Sequence, residues 1–169
     1  MTTEKKKLEG VSLDALMIDS KAVENGDWVK EIDGAPGAQV HTKGWNCAES
    51  MALRAELISA RPPHLIEGSD EYEEAKKADP GGHAQQMTEV NRRERGEVLK
   101  VIVMDWKGLG GIPFNSQNLN TVCEKDEFIP MRNILMNAAL TVGDMRKRRE
   151  DEQVKNFAVG LGISFDSAA

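Results

Sequence analysis

The longest regular pattern in this chain is a helical stripe that runs from about residue 84 to residue 107. The stripe recurs every three to four residues, as on one face of an α-helix, through Met87, Val90, Glu94, Val98, Val101 or Ile102, and Asp105 or Trp106. The first half of this segment is polar, whereas residues 98–106 are apolar on nearly all sides. We therefore predict one long helix whose second half enters the core, whose first half projects, and which the glycines at 108–111 terminate.

Two short strand-like segments lie nearer the N-terminus, at residues 28–32 and 38–42. Turn signals at 25–26 and 34–37, rich in glycine and proline, flank them and predict a β-hairpin. Because an isolated hairpin is marginally stable in water, it must pack on something else. We expect Trp28 to make that contact.

Three more helical segments complete the pattern. Asn46 predicts the N-cap of a helix that ends at the prolines 62–63, with Met51, Ala55 and Ile58 on one face of an amphipathic helix. After an extended clip at 112–114, residues 115–116 cap a short helix. The last helix begins near residue 126 and keeps helical spacing through Phe128, Met131, Leu135, Ala138, Ala139 and Val142. Together these segments predict an α+β fold, mostly helical, with a small N-terminal β-hairpin packed on the helices.

The length of 169 residues favours one domain, or one domain with a mobile arm. We expect a disordered leader over residues 1–10 and a single α+β domain over residues 11–143. Within that domain, the charged and proline-containing stretch 62–83 predicts a short exposed helix between two loops, the most mobile internal region. Residues 144–169 are predicted to form a charged helix followed by an apolar, glycine-loosened tail.

The net charge of −6 and the pI of about 5.2 argue against a nucleic-acid binder, because an acidic surface repels the phosphate backbone. The basic clusters at 92–95 and 146–149 are interrupted or followed by acidic residues, and are interpreted as solvated helix faces. Two cysteines and no long apolar run indicate a protein of the reducing cytosol, with free, packed thiols and no membrane span.

No residue pattern points to catalysis. The histidines His41, His64 and His83 stand apart, and neither cysteine belongs to a metal-ligand motif. A cysteine nucleophile at Cys47, at a predicted helix N-terminus, would need an orienting partner beside His41. We therefore expect a protein that binds other proteins, with no catalytic, metal or cofactor site, and an enzyme that uses Cys47 or a histidine stays the minor alternative.

Candidate partner-binding residues are the few aromatic and apolar residues at exposed or irregular positions. The tryptophans are expected mainly to mark where hairpin and helices meet, with an interface role as the alternative. The apolar tail is either a docking peptide or a segment tucked against its own core. The candidates are Trp28, Trp106, Pro113, Phe114, Phe157, Leu161, Ile163 and Phe165.

Two blocks of the sequence resemble a known family. Residues 19–29 (DSKAVENGDWV), then a glycine–proline turn, Val40 and Asn46, match the pattern D-x-K-x-x-x-x-G-x-W-V … v-x-x-x-x-x-N. Residues 101–106 (VIVMDW), 108, 112–116 (IPFNS) and 118 are similar to a v-x-x-W-x-g … i-P-F-s-x-e-N block. Over residues 19–142, this chain resembles the tail assembly chaperones of tailed bacteriophages. The loop that follows Trp106 is short here, and the terminal extensions lie outside the pattern.

The resemblance implies a host-cytoplasmic chaperone that binds the tape-measure protein, a long helical chain, helps to recruit the tail-tube protein, and is absent from the mature virion. Homo-oligomers are possible in such a role. Eight methionines offer adaptable apolar surface, and the acidic charge favours solubility. The competing interpretation is a structural virion component, such as a tail-terminator or head–tail connector protein.

Overall fold

The structure, a computed structural model, describes residues 18–143, and Ser20–Val142 form one compact unit. In chain order the elements are α1 (Ser20–Asn25), β1 (Asp27–Ile32), β2 (Ala35–Thr42), α2 (Ala48–Ser59), a 3-10 helix (Pro63–Leu65), α3 (Asp70–Ala78), α4 (Pro80–Ile102), β3 (Val103–Lys107), α5 (Ser116–Glu124), a second 3-10 helix (Asp126–Phe128) and α6 (Ile129–Thr141). The predicted α+β, mostly helical class is confirmed. The predicted leader over 1–10 and the charged helix and tail over 144–169 lie outside the described residues.

The predicted hairpin is present, and a third strand joins it. β1 pairs antiparallel with β2, and β2 pairs antiparallel with β3, so β2 is the central strand. The turn occupies Asp33–Gly34 instead of 34–37, because Ile32 already pairs with Ala35 across a two-residue loop. Asp-Gly is a favoured pair for such loops, since the second residue takes a positive φ, here 83° at Gly34.

The prediction that the long helix continues to residue 107 is wrong. α4 ends at Ile102, whose carbonyl accepts the backbone N–H of Lys43 at 2.9 Å and the Thr42 hydroxyl at 3.2 Å. The chain then becomes strand β3, which pairs with β2. A segment that is apolar on all sides and rich in β-branched residues suits a strand at least as well as a helix, and the contacts with β2 decide between them.

At its other end, α4 begins earlier than predicted, at Pro80 instead of residue 84. Asp79 is the N-cap, and its carboxylate accepts the backbone N–H of Gly82 at 3.0 Å. Proline suits the first helical position, where its missing N–H costs nothing. The predicted second loop of the 62–83 stretch is therefore a helix start.

The rest of the 62–83 stretch contains the predicted short helix, α3, in which no residue is buried. Leu65 and His83 are nevertheless buried, and the His83 ring lies edge-on to Tyr72 with its Nε2 3.0 Å from the His64 carbonyl oxygen. These contacts attach the 3-10 turn and α3 to α4. The mobility of this stretch stays a prediction.

The core lies between the inner face of the sheet and helices α4, α5 and α6. As predicted, the last helix buries residues at helical spacing, here Met131, Leu135, Ala138 and Ala139, with Val142 just beyond it. They meet Val40 and Trp106 of the sheet and Leu99 and Ile102 of α4 in one cluster. Among residues 18–143, no helix is both long and apolar enough to cross a bilayer.

Candidate partner-binding surface

Trp28 does not pack the hairpin onto the helices as expected. It is half-buried and lies outside the core cluster, where its neighbour Val29 enters instead. The indole stacks on His41 with ring centroids 5.2 Å apart, and the Lys107 ammonium lies 4.9 Å from the ring centre. Trp28 is therefore on the outer face of the sheet, where a partner can reach it.

Trp106, Pro113 and Phe114 come together, but Trp106 is only 3% exposed. Its indole N–H donates to the carbonyl of Ile112 at 2.7 Å, and its ring meets Phe114 edge-on at 4.9 Å between centroids. Trp106 thus attaches the extended segment 112–114 to the core from a buried position. The clip itself keeps Pro113 exposed and Phe114 half-buried.

The remaining four candidates, Phe157, Leu161, Ile163 and Phe165, lie outside the described residues. Their proposed role in binding a partner stays a prediction.

On α2, the apolar face formed by Met51, Ala55 and Ile58 points away from the core. Met51 is 57% exposed and Ile58 44% exposed. The helix packs instead through Ser50, whose hydroxyl donates to the Trp45 carbonyl at 2.7 Å, and through neighbouring leucines. Helical spacing fits both faces, so the amphipathic pattern could not tell which one is buried. The outcome is an uncovered apolar stripe.

Next to this stripe, two hollows flank the middle of α4, and both are lined by Asn91 and Arg95. The α2–α4 hollow, of about 240 Å³, includes Ile58, and the α4–α6 hollow, of about 330 Å³, includes Ile129. A third hollow continues from Ile129 along α4 toward Leu65. We call the three together the α4 groove. It has one exposed apolar residue on each side of α4, Ile58 from α2 and Ile129 from α6.

Arginines give the α4–α6 hollow its charge. Arg92 donates hydrogen bonds to the carboxylates of Glu89 and Asp126, and these bonds raise the pKa of its guanidinium above the ordinary value. In return, the hydrogen bond from Arg92 lowers the pKa of Asp126. Arg132 is buried and donates to the Cys123 carbonyl at 2.9 Å. Arg95 has no hydrogen bond or ion pair with any residue of the described part of the chain.

The cysteines and histidines do not assemble a reactive site in the described residues. Cys47 is fully buried as the N-cap of α2, where its sulfur accepts the Ser50 N–H at 3.5 Å. Burial raises the pKa of the Cys123 thiol to about 11, so this thiol stays protonated at neutral pH. Across residues 18–143, no three of His, Cys, Asp or Glu cluster as metal ligands.

The α4 groove was not evident from the sequence. The arginines at 92–95 were interpreted as a solvated helix face, and the pairing of Arg92 with Glu89 agrees with that in part. The missing information was the position of α6, which sets Arg132 and Ile129 opposite Arg95. The available signal was the spacing Thr88, Asn91, Arg95 and Leu99, a polar stripe that ends on an apolar residue along one face of α4.

Comparison with protein-family models, with curated proteins and with solved structures finds no match to this chain.

Proposed function

We propose that this chain is a non-catalytic assembly chaperone of a tailed bacteriophage, which binds the tape-measure protein and tail-tube subunits in the host cytoplasm and leaves before the virion is complete. The observation that carries the proposal is the α4 groove with its exposed apolar residues. From Gln85 to Leu99 it follows about 20 Å of helix, which matches roughly four turns of a partner helix.

The chemistry of the groove suits a helical ligand. An amphipathic helix binds by laying its apolar face into such a groove, with anchors one turn apart. Ile58 and Ile129 are exposed anchors on the two sides of α4, and Met136 adds an adaptable contact in the α4–α6 hollow beside Ile129. A tape-measure protein, as a long helical chain that aggregates when alone, would present such faces, and the resemblance of residues 19–142 to the chaperone family points to the same partner.

Co-expression with the tape-measure protein encoded beside this chain tests the proposal. We expect the tape-measure protein to stay soluble and to co-purify with the wild-type chain. Ile58→Glu places a charge at the groove, and we expect it to weaken binding about tenfold, or about 1.4 kcal/mol. Leu140→Glu is the matched control, because Leu140 is 57% exposed and lines none of the three hollows. Unchanged tape-measure solubility and no co-purification would refute the proposal.

The alternative, a structural virion component, gives a different result in purified particles. Mass spectrometry of virions should detect the tail-tube protein and not this chain. Recovery of this chain in stoichiometric amounts would replace the chaperone role with a structural one.

A further inference from the structure

The α4–α6 hollow is formed by two helix faces that diverge. Thr88, Asn91, Arg92, Arg95 and Leu99 line it from α4, and Ile129, Arg132, Asn133 and Met136 line it from α6. At about 330 Å³ it falls within the size range of ligand pockets, and it is large enough for one side chain and its neighbours. The hollow therefore has room for part of a partner.

The polar groups of the hollow are of two kinds. Arg132 is 7% exposed and is held at the carbonyls of Cys123 and Lys125, at 2.9 and 3.4 Å, so its position is set by the protein itself. The side chains of Arg95 and Asn133, in contrast, are exposed and make no hydrogen bond within the described range. Both can donate hydrogen bonds into the hollow without giving up a partner.

The charge of the hollow is opposite to that of the whole chain. Three guanidinium groups line it. Glu89 and Asp126 both pair with Arg92, and Asp126 also lies 3.7 Å from Arg132, so Arg95 is left without a carboxylate partner among the described residues. The chain as a whole carries −6. Arginine pairs with carboxylates through two parallel hydrogen bonds, and is among the residues that dominate the energy of protein interfaces. A negatively charged group is the complementary ligand.

The apolar residues of the hollow indicate what carries that charge. Leu99 is 1% exposed and forms the floor, while Ile129 is 39% exposed at the rim and continues into the neighbouring hollow beside Val90. A free inorganic anion would leave this apolar surface uncovered. A polypeptide would cover it with its own apolar side chains and place a carboxylate at Arg95.

We infer that the α4–α6 hollow recognises a glutamate or aspartate of a partner polypeptide, flanked by apolar residues, with Arg95 and Asn133 as the donors. The inference rests on the proposed function in taking the partner to be a protein, and it adds the chemistry of the segment that binds. Nucleic acid does not fit the site, because the acidic side chains of Glu89 and Asp126 border the arginines and would repel a phosphate backbone.

Two labelled model peptides test this on the full-length chain. Both are amphipathic helices with a leucine stripe. One carries glutamate beside the stripe, and the other carries glutamine at the same positions. By fluorescence anisotropy, we expect the glutamate peptide to bind about tenfold more tightly at low salt, and the advantage to disappear at 1 M NaCl, where the screening length is about 3 Å. Arg95→Gln should remove the preference, and Arg93→Gln, an equally exposed arginine outside the hollow, should keep it.

Four results would overturn the inference. These are equal binding of both peptides, an unchanged preference in Arg95→Gln, displacement of the glutamate peptide by millimolar acetate or phosphate, and self-association of the chain that Arg95→Gln abolishes. The third would indicate a small-anion site and the fourth a second copy of the chain.

Co-purification of the tape-measure protein separates the two proposals. If wild type and Arg95→Gln retain it equally, the chaperone role stands and this inference fails. If the wild type does not bind the tape-measure protein but prefers the glutamate peptide, this inference stands and the chaperone role fails.

Discussion

Replacing Gly96 with alanine sets two known effects of opposite sign against each other. Gly96 is buried in the middle of α4, where alanine would favour the helix by about 1 kcal/mol. An added Cβ, however, would lie 2.8 Å from the backbone oxygen of Cys123 on α5 and 3.6 Å from its Cβ. The nearest of these atoms is main chain, so it cannot rotate away, and α4 and α5 must separate.

We expect the steric effect to win. Overpacking a tight contact costs about 1–3 kcal/mol, and here the displaced oxygen also accepts the buried Arg132 guanidinium at 2.9 Å. Taking about 2 kcal/mol for the contact and subtracting about 1 kcal/mol for the helix leaves a net loss of about 1 kcal/mol. For a chain of this length, the melting temperature should fall by about 2–4 °C.

Gly81→Ala is the matched control, because it is the same change in the first turn of the same helix. There the added Cβ meets only the Asp79 Oδ1 atom, at 3.9 Å, so we expect a slightly stabilised protein. Urea unfolding followed by tryptophan fluorescence gives both free energies of unfolding. If Gly96→Ala proves as stable as Gly81→Ala, the close approach of α4 to α5 and the reasoning built on it are refuted.

Two further predictions concern polar groups that are half-buried or buried. Arg61 and Glu94, 11% and 14% exposed, form a two-pronged ion pair with both contacts at 2.6 Å. Arg61→Met should cost about 2 kcal/mol by leaving the half-buried carboxylate unpaired, a value between those of exposed and fully buried pairs. The double variant Arg61→Met/Glu94→Leu should recover part of this loss in urea unfolding, and strictly additive losses would show that the pair contributes nothing. The pKa of Cys123 is raised to about 11 by burial, above the value near 8.5–9 of an unfolded thiol, so its contribution to stability is complete below about pH 9 and is lost as pH rises toward 11. Cys123→Ala should lack that alkaline slope, and equal slopes in the two proteins would argue against the shift.

Local signals are sufficient for the elements whose ends carry their own caps and turns. The Asp33–Gly34 loop and the Asn115 N-cap, whose side chain accepts the Asn118 N–H at 2.8 Å, are both satisfied by residues within three positions. Pro130 fits the first turn of α6 for the same reason. The hairpin, α5 and α6 were therefore predictable from sequence alone, although the turn of the hairpin was predicted at 34–37 and lies at Asp33–Gly34.

Elements that depend on distant partners were not predictable in this way. β3 is a strand because it pairs with β2. α4 ends at Ile102 because Thr42 and Lys43, about sixty residues earlier in the chain, donate hydrogen bonds to its carbonyl. The buried face of α2 likewise depends on where α4 lies. A periodic pattern states which residues can share a face, but the packing of other elements decides whether that face is covered.

The same distinction separates the arginines of the α4–α6 hollow. Arg132 donates to the carbonyls of Cys123 and Lys125 at the C-terminal end of α5, and a cation there also suits the helix dipole. Its burial is therefore explained by the fold alone, and its loss would be felt as instability. Arg95 has no such task within the described residues, and its side chain is exposed beside Leu99. Replacing Arg95 should therefore leave the fold intact, and for that reason Arg95, and not Arg132, is the residue on which recognition should be tested.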